Sequence, residues 1–159
     1  MYRRLFILFA AVLLAASCES EVREANVNQE KYIDDYIQAY FADSTVVHID
    51  GITRVLMTDN PYPAPVVEKG DSVLVFYVGY TFAEGGPASR FIQDSATVRI
   101  GSGDIIRGLD SGLQGMKQGQ EALLLFPSQY GYGTSAVGLV PENTALYFDV
   151  TVPLINKKN

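Results

Sequence analysis

The sequence predicts an α+β fold in which an antiparallel β-sheet packs on one short helix, with an additional amphipathic helix before the sheet. After Asp43-Ser44 the apolar residues alternate or form β-branched runs separated by Gly, Pro, Asn and Asp, which is typical of strands. Before that point the apolar residues recur at helical spacing. The 159 residues suffice for one domain with a short extension.

The N-terminal residues predict an export signal followed by a tether. Two arginines precede an apolar run at residues 5–16, and small residues then lead to Cys18. This pattern is that of a secretory signal peptide over residues 1–17, and its apolar run is shorter than the roughly 20 residues needed to span a bilayer. Residues 18–28 are polar, which predicts a tether without fixed structure.

Cys18 ends a segment, Ala-Ala-Ser-Cys, that resembles the lipobox of bacterial lipoproteins. The usual leucine three positions before the cysteine is replaced by Ala15. The resemblance implies cleavage before Cys18 and lipidation of its sulfur, so that the chain is held at a bacterial membrane outside the cytoplasm, facing the periplasm or the cell exterior. The alternative is a free thiol beside an ordinary signal cleavage site.

Residues 29–44 predict an amphipathic helix, because one face is apolar and the other carries acidic and amide side chains. The apolar positions are Tyr32, Ile33, Tyr36, Ile37, Tyr40 and Phe41. We expect this face to pack on the chain's own domain. Three tyrosines spaced four residues apart leave a docking stripe for a partner as the alternative.

The remaining residues, 45–159, predict one domain with six strands and a short helix. The predicted strands are 46–49, 52–58, 72–82, 97–100, 121–126 and 145–154. Between the fourth and the fifth, Leu109, Leu113 and Met116 are spaced as on one face of a helix that packs on the sheet.

The composition excludes several kinds of chemistry. One cysteine and one histidine, His48, are too few for a disulfide framework, a Cys/His zinc site or a cysteine–histidine nucleophile pair, so neither a metal nor a cofactor is expected. The net charge is −6 and the basic residues are scattered, which argues against a nucleic-acid partner. A serine hydrolase would have to use His48, which lies in an apolar strand and remains a remote alternative.

Five segments in order, residues 75–80, 105–109, 112–119, 126–133 and 140–150, resemble the FKBP-type peptidyl-prolyl cis-trans isomerases. The resemblance covers about residues 66–154 and includes an Ile-Ile-Arg-Gly and a Tyr-Gly-Tyr-Gly motif. It implies a curved, half-open antiparallel sheet around the short helix, with an apolar pocket between them.

The resemblance also implies the site residues and their roles. Tyr77, Phe91, Tyr132 and Phe148 would form aromatic walls, Leu109 the floor, Ile105 and Ile106 the edge, and Leu139 and Val140 an overhanging loop. The Tyr132 hydroxyl and the Ile106 N–H would face a substrate carbonyl. The alternative for the aromatic residues is that they only fill the core.

Two departures from the family pattern predict weak turnover or poor affinity for macrolides. Leu109 stands where the family often has tryptophan, and Ile92 stands where an aspartate usually follows the Phe91 position. Asp94, two positions further on, is the candidate to take that aspartate's place, although residues 91–97 form a shorter stretch than usual.

The predicted function is the isomerisation of X–Pro bonds in other exported proteins. An apolar pocket that removes water and favours the twisted amide needs no cysteine, histidine or metal. The expected partners are proline-containing unfolded or extended segments and, weakly, macrolides. The alternative is a non-catalytic chaperone or peptide-binding module that uses the same pocket.

Overall fold

The structure is a computed structural model that describes residues 2–58 and 62–158, with side chains from residue 19 onward. The helices are α1 (Tyr2–Tyr40) and α2 (Arg107–Leu113), and a 3₁₀ turn spans Ser128–Tyr130. The strands are β1 (Thr45–Ile49), β2 (Ile52–Leu56), β3 (Ser72–Ala83), β4 (Gly86–Arg99), β5 (Glu121–Phe126) and β6 (Ala145–Asn156).

The described strands form one six-stranded antiparallel sheet in the order β1-β2-β5-β6-β3-β4, which confirms the predicted α+β fold. Because side chains alternate along a strand, the sheet has two faces. Phe148, Leu124 and Val75 belong to the core on the inner face, which packs against α2. Leu123 and Leu125 belong to the core on the outer face, which packs against α1.

Two glycines of α2 let this short helix lie directly on the inner face. A Cβ atom at Gly108 would lie 2.4 Å from the Phe126 ring, and one at Gly112 would lie 2.8 Å from a Leu124 methyl carbon. Leu113, the last residue of α2, is fully buried. The glycines that weaken α2 as an isolated helix are thus required by its packing.

The C-terminal part of α1 packs on the outer face, as predicted. Ile33 and Ile37 are buried there, and the rings of Tyr32 and Tyr36 lie 5.7 and 5.2 Å from the Phe82 ring. Tyr40 is two-thirds exposed at the helix end. Tyr32 and Tyr36 therefore contact the chain's own domain rather than form a free docking stripe.

The predicted tether is helical instead. Residues 19–28 continue α1, and Asn26 is buried. Two physical reasons account for this difference: residues 2–40 contain neither Gly nor Pro, and Asn26 has hydrogen-bond partners in the folded domain. The helix also ends at Tyr40 rather than at residue 44. The signal boundary stays a prediction, and the Cys18 side chain lies outside the described part.

Strand β4 begins at Gly86, whereas the sequence predicted a strand only from residue 97. β4 is an edge strand and most of its side chains are exposed, so residues 86–96 show no apolar alternation. An edge position also tolerates Pro87 near the start of the strand, because one side of the backbone has no partner to lose.

No helix in the described part of the chain is long and apolar enough to cross a membrane.

We expect the stability of the fold to fall in acid through Asp71. Its carboxylate is fully buried, and the hydrogen bond from the Lys157 ammonium, with backbone N–H groups of Lys158 and Glu68, lowers its pKa from 3.8 to about 2. The folded state therefore prefers the ionised carboxylate, and this stabilisation, present above pH 3.8, is lost as the pH falls through about 2.

Thermal unfolding of the Asp71→Asn variant between pH 2 and pH 7 tests this expectation. The variant should melt lower than the parent at neutral pH and lose less stability in acid. Glu68→Gln is the control, because Glu68 contacts the same ammonium from an exposed position. Parallel melting curves for Asp71→Asn and the parent over the acid range would contradict the assignment.

Candidate active site

An apolar cavity of about 210 Å³ opens between the inner face of the sheet and the start of α2. Strands β3, β4 and β6, α2 and the segment after the 3₁₀ turn all contribute side chains to it. The lining residues are Val75, Tyr77, Ile92, Ala96, Val98, Asp104, Ile105, Ile106, Leu109, Tyr132 and Phe148. Six of the predicted site residues therefore line one cavity: Tyr77, Ile105, Ile106, Leu109, Tyr132 and Phe148.

Four aromatic rings form a connected wall in this region. Phe91 lies 5.7 Å from Phe148 and 6.4 Å from Tyr132 between ring centroids, and Tyr77 lies 6.3 Å from Phe148. All three contacts are edge-to-face, a favourable arrangement for aromatic pairs. Phe148 is buried, whereas Tyr77, Phe91 and Tyr132 are half-buried. The rings thus combine a packed centre with open edges, unlike rings that only fill a core.

Gly79 makes room for this wall. A Cβ atom there would lie 2.6 to 2.8 Å from Phe148, Ile92 and Phe91. The β3–β4 ladder pairs Gly79 with Ile92 and Tyr80 with Arg90, so Phe91 is the extra residue of a bulge. The bulge lets two consecutive side chains, Phe91 and Ile92, both contact the Gly79 position.

The pocket edge is formed where α2 begins. The Ile106 carbonyl accepts hydrogen bonds from Leu109 and Asp110 N–H groups, both at 3.1 Å, while Ile106 itself keeps extended backbone angles. Among the described residues, none accepts a hydrogen bond from the Ile106 N–H. Leu109, one turn into the helix, is buried and lines the cavity. The start of α2 thus provides an apolar floor beside an available donor.

Two predicted residues take positions other than those expected. Val140 is 1% exposed and packs in the inner core, whereas its neighbour Leu139 is 75% exposed at the loop tip. Asp94 is exposed beside the pocket rather than in its lining, and its carboxylate accepts a hydrogen bond from the Ser95 N–H at 2.7 Å. Ile92 lines the cavity at this point of β4, so the surface that β4 presents to the cavity there is apolar.

The two tyrosine hydroxyls of the pocket stay protonated over the neutral range. Burial raises the pKa of Tyr132, and burial, followed by the charge of Asp94 and the proximity of Tyr132, raises the pKa of Tyr77. A protonated hydroxyl can donate a hydrogen bond to a carbonyl oxygen. The site therefore offers hydroxyl donors over the neutral range.

Four apolar lining residues were missed by sequence reasoning: Val75, Ile92, Ala96 and Val98. Val75 pairs with Ala96, and Val73 with Val98, so these residues share the inner face. Alternation along β4 would have identified Ala96 and Val98 if the strand had been predicted from Gly86. Asp104 was also missed; it lies in the turn before α2 and accepts a hydrogen bond from Ser102 Oγ at 2.6 Å.

The described part of the chain contains no group of three or more His, Cys, Asp or Glu side chains arranged to hold a metal ion.

Comparison with known proteins agrees with this geometry. A family model described as FKBP-type peptidyl-prolyl cis-trans isomerase matches residues 64–153. FK506-binding protein 1 of Aspergillus oryzae is 32% identical over 117 residues, which cover 67% of this chain and 99% of that protein. Peptidyl-prolyl cis-trans isomerase FKBP15-3 of Arabidopsis thaliana is 30% identical over 142 residues, 88% of this chain and 97% of that one.

A solved structure shows the same architecture. The crystal structure of a peptidyl-prolyl cis-trans isomerase from Pseudomonas syringae pv. tomato superposes with a TM-score of 0.66 at 26% sequence identity. The superposition covers 85% of this chain and 96% of that one. With the fold, the pocket and the family match in agreement, this chain belongs to the FKBP-type peptidyl-prolyl cis-trans isomerases.

Proposed function

We propose that this isomerase acts on proline-containing segments of exported proteins while it is anchored to a bacterial membrane through lipid on Cys18. The observation that carries the substrate proposal is the apolar cavity, in which the Tyr77 and Tyr132 hydroxyls and the Ile106 N–H are available donors. The N-terminal arginines, the apolar run and the lipobox-like segment support the anchor.

The chemistry follows from the amide bond itself. Rotation about it meets a barrier of about 18–20 kcal/mol, because the C–N bond has partial double-bond character. Water that hydrogen-bonds the polarised carbonyl stabilises the planar form. A cavity that removes this water and binds the twisted amide better than the planar one lowers the barrier, by about 1.4 kcal/mol for each tenfold in rate.

The residues of this pocket divide that task between them. Leu109 and Phe148 offer apolar surface for the proline ring, and the Tyr132 hydroxyl can donate to the carbonyl that precedes the proline. The volume of about 210 Å³ is smaller than the roughly 300–1,000 Å³ of pockets that enclose drug-sized molecules. The cavity therefore suits one proline side chain and its flanking amide.

The substrate residues beside the proline are expected to be apolar, and macrolide binding to be weak. Leu139 and Val137, at the loop tip, are 75% and 45% exposed, so they present apolar surface to a bound segment. Leu109 provides less area than an aromatic floor, and Ile92 provides no carboxylate. Titration with FK506, which gives its name to several relatives, checks this: binding as tight as that of the Aspergillus oryzae relative would contradict it.

A proline-isomerisation assay on the purified full chain tests the role of Tyr132. Tyr132→Phe removes one donor and is expected to lower kcat/KM about 3- to 10-fold, the effect of one hydrogen bond to a neutral acceptor. Tyr80→Phe is the matched control, because Tyr80 packs with Tyr147 on the other face of the sheet. A parent rate no higher than the uncatalysed one would overturn the isomerase function itself.

The exposed apolar loop tip favours a second candidate, a holdase that binds unfolded chains without isomerising them. Suppression of aggregation of a client that lacks proline measures this separately from catalysis. If it is the main function, Leu139→Ser should reduce the suppression and Tyr132→Phe should leave it unchanged. No suppression by the parent would reject this candidate.

We expect the isomerase rate to be independent of pH from about 5 to 9, because the only histidine, His48, lines a different cavity near α1. Above that range the rate should fall as Tyr132 loses its proton, with a midpoint above the ordinary tyrosine value of 10.0, since burial raises its pKa. A pH series of kcat/KM measures this. Tyr132→Phe should remove the alkaline fall, and a midpoint near pH 6.5 would contradict the assignment.

Metabolic labelling with a radioactive fatty acid in a bacterial host tests the anchor. The parent should be labelled and sediment with membranes, whereas Cys18→Ser should be unlabelled. Equal labelling of both chains, or none of either, would overturn the proposal for Cys18 without affecting the isomerase assay.

A further inference from the structure

We propose that Asn26 and Gln29 of α1 are positioning residues that hold the active-site loop, defined as residues 128–143, in the arrangement that catalysis needs. The loop carries Tyr132 and Leu139; Gln29 contacts both of its ends, and Asn26 contacts its start. This inference rests on the isomerase function. The two residues precede residues 64–153, which the family model matches, so that match does not include them.

Gln29 joins the two ends of the loop. Its side chain is 4% exposed. The Oε1 atom accepts a hydrogen bond from the Ser128 N–H at 2.7 Å, and the Nε2 atom donates to the Asn143 carbonyl at 2.6 Å. Ser128 begins the loop and Asn143 ends it. One amide side chain of α1 therefore fixes the distance between these ends.

Asn26 lies one turn earlier on α1 and binds the start of the same loop. Its side chain is 7% exposed, and Oδ1 accepts hydrogen bonds from Ser128 Oγ at 3.1 Å and from the Gln129 N–H at 3.2 Å. Its Nδ2 donates to the Val22 carbonyl in the preceding turn at 2.9 Å, which fixes the orientation of the amide. Asn26 thus satisfies two donors at the start of the 3₁₀ turn.

The backbone of the loop connects these contacts to Tyr132. The Ser128 carbonyl accepts hydrogen bonds from the Gly131 N–H at 2.9 Å and the Gly133 N–H at 2.8 Å, on either side of Tyr132. The Gly133 carbonyl in turn accepts from the Asn143 N–H at 2.8 Å. A shift of Ser128 or Asn143 therefore changes where Tyr132 presents its hydroxyl.

Other residues of α1 provide a control for general destabilisation. Ile33 and Ile37 pack on the outer face and belong to a core cluster without any residue of the active-site loop. Loss of apolar packing at Ile37 should weaken helix docking, whereas loss of the amides should release the loop. The two kinds of variant lie on the same helix but remove different contacts, so a loss of helix docking can be distinguished from a release of the loop.

The test compares kcat/KM and backbone hydrogen exchange in the full chain carrying Asn26→Leu, Gln29→Met or Ile37→Ala. We expect kcat/KM to fall about tenfold in the two amide variants, since small displacements of positioned groups reduce rates strongly. The amides of Gly131, Gly133 and Asn143 should exchange faster in these variants only. Asn26→Asp keeps an acceptor oxygen for the loop but loses the Nδ2 donor to the Val22 carbonyl, so it should recover only part of the kcat/KM that Asn26→Leu loses.

Unchanged kcat/KM in folded Asn26→Leu and Gln29→Met would overturn the proposal, as would an equal loss in Ile37→Ala. If the two amide variants do not fold, Ser128→Ala removes only the hydroxyl contact with Asn26, and unchanged exchange of the Gly131 and Gly133 amides in that variant would count against the proposal. An inactive parent would remove the isomerase function instead, while the exchange rates would still report on the loop.

Discussion

Phe148→Ala is expected to lower kcat/KM at least 100-fold and the free energy of unfolding by about 3–5 kcal/mol, the usual range for truncating a buried phenylalanine. Phe148 is 1% exposed, and its ring lies 5.9 Å from Phe126 and 5.7 Å from Phe91. Deleting the ring removes packing from the centre of the inner core and leaves a cavity at the same place.

The loss of activity has a cause of its own, because Phe148 supports the other rings of the pocket wall. Tyr77 and Phe91 both contact Phe148 by their ring edges, and the Gly79 position provides no side chain that could replace it. Without Phe148 these rings can move into the vacated space. The cavity then admits water, which stabilises the planar amide.

Urea unfolding and the isomerase assay measure the two effects separately. Tyr147→Ala is the matched control, since Tyr147 is the adjacent residue of β6, packs against Phe82 and Tyr80 on the outer face, and should reduce stability while leaving kcat/KM within about twofold. Phe148→Leu retains apolar volume and should recover most of the stability but only part of the activity. Full activity of Phe148→Ala would show that the aromatic wall does not bind substrate.

The strands and the aromatic wall could be predicted largely from the sequence. The apolar and β-branched runs predicted five of the six described strands closely; four of these contain buried residues, and β1 is half-buried or exposed along its length. The family resemblance implied that Tyr77, Phe91, Tyr132 and Phe148 form the aromatic walls, and the structure brings these four rings together. The edge strand β4 was missed over residues 86–96 because its exposed side chains carry no alternation of polarity.

The support that α1 provides to the active-site loop could not be predicted in the same way. Asn26 lies in the predicted tether and Gln29 at the start of the predicted amphipathic helix. A polar residue in a sequence does not show whether its partner is water or a distant backbone group. Their partners lie about 100 residues further along the chain. Only the folded arrangement shows that these amides satisfy N–H and carbonyl groups of the loop.

Arg54→Met is expected to lower the free energy of unfolding by about 3 kcal/mol and to reduce kcat/KM as well. Arg54 of β2 is 6% exposed, and its guanidinium donates to the Gly112 carbonyl at 2.9 Å and the Gln114 carbonyl at 2.7 Å, at the C-terminal end of α2. Methionine fills similar space but leaves both carbonyls without this donor. Unsatisfied buried polar groups cost about 1–3 kcal/mol each, and relief from burying a cation offsets part of the sum.

The loss of activity follows from what α2 holds in place. Leu109, the pocket floor, and the Ile106 N–H lie at the other end of this seven-residue helix, so a shift of its C-terminal end moves both. The positive charge of Arg54 also lies at the negative end of the helix dipole, which adds to the attraction. The contact of Arg54 with α2 therefore connects the strand pair β1–β2 to the helix that forms the pocket floor, although Arg54 does not line the pocket.

Arg54→Lys and Arg90→Met complete the experiment. Lysine keeps the charge and can reach one carbonyl, so it should recover about half of the lost stability. Arg90→Met removes an exposed arginine whose guanidinium donates to Gln93 Oε1, and it should change the free energy of unfolding by less than about 0.5 kcal/mol. Urea unfolding and kcat/KM are measured on all three variants. If Arg54→Met is as stable and active as the parent, the buried Leu113 and the close contact between Gly112 and Leu124 position α2 without the guanidinium.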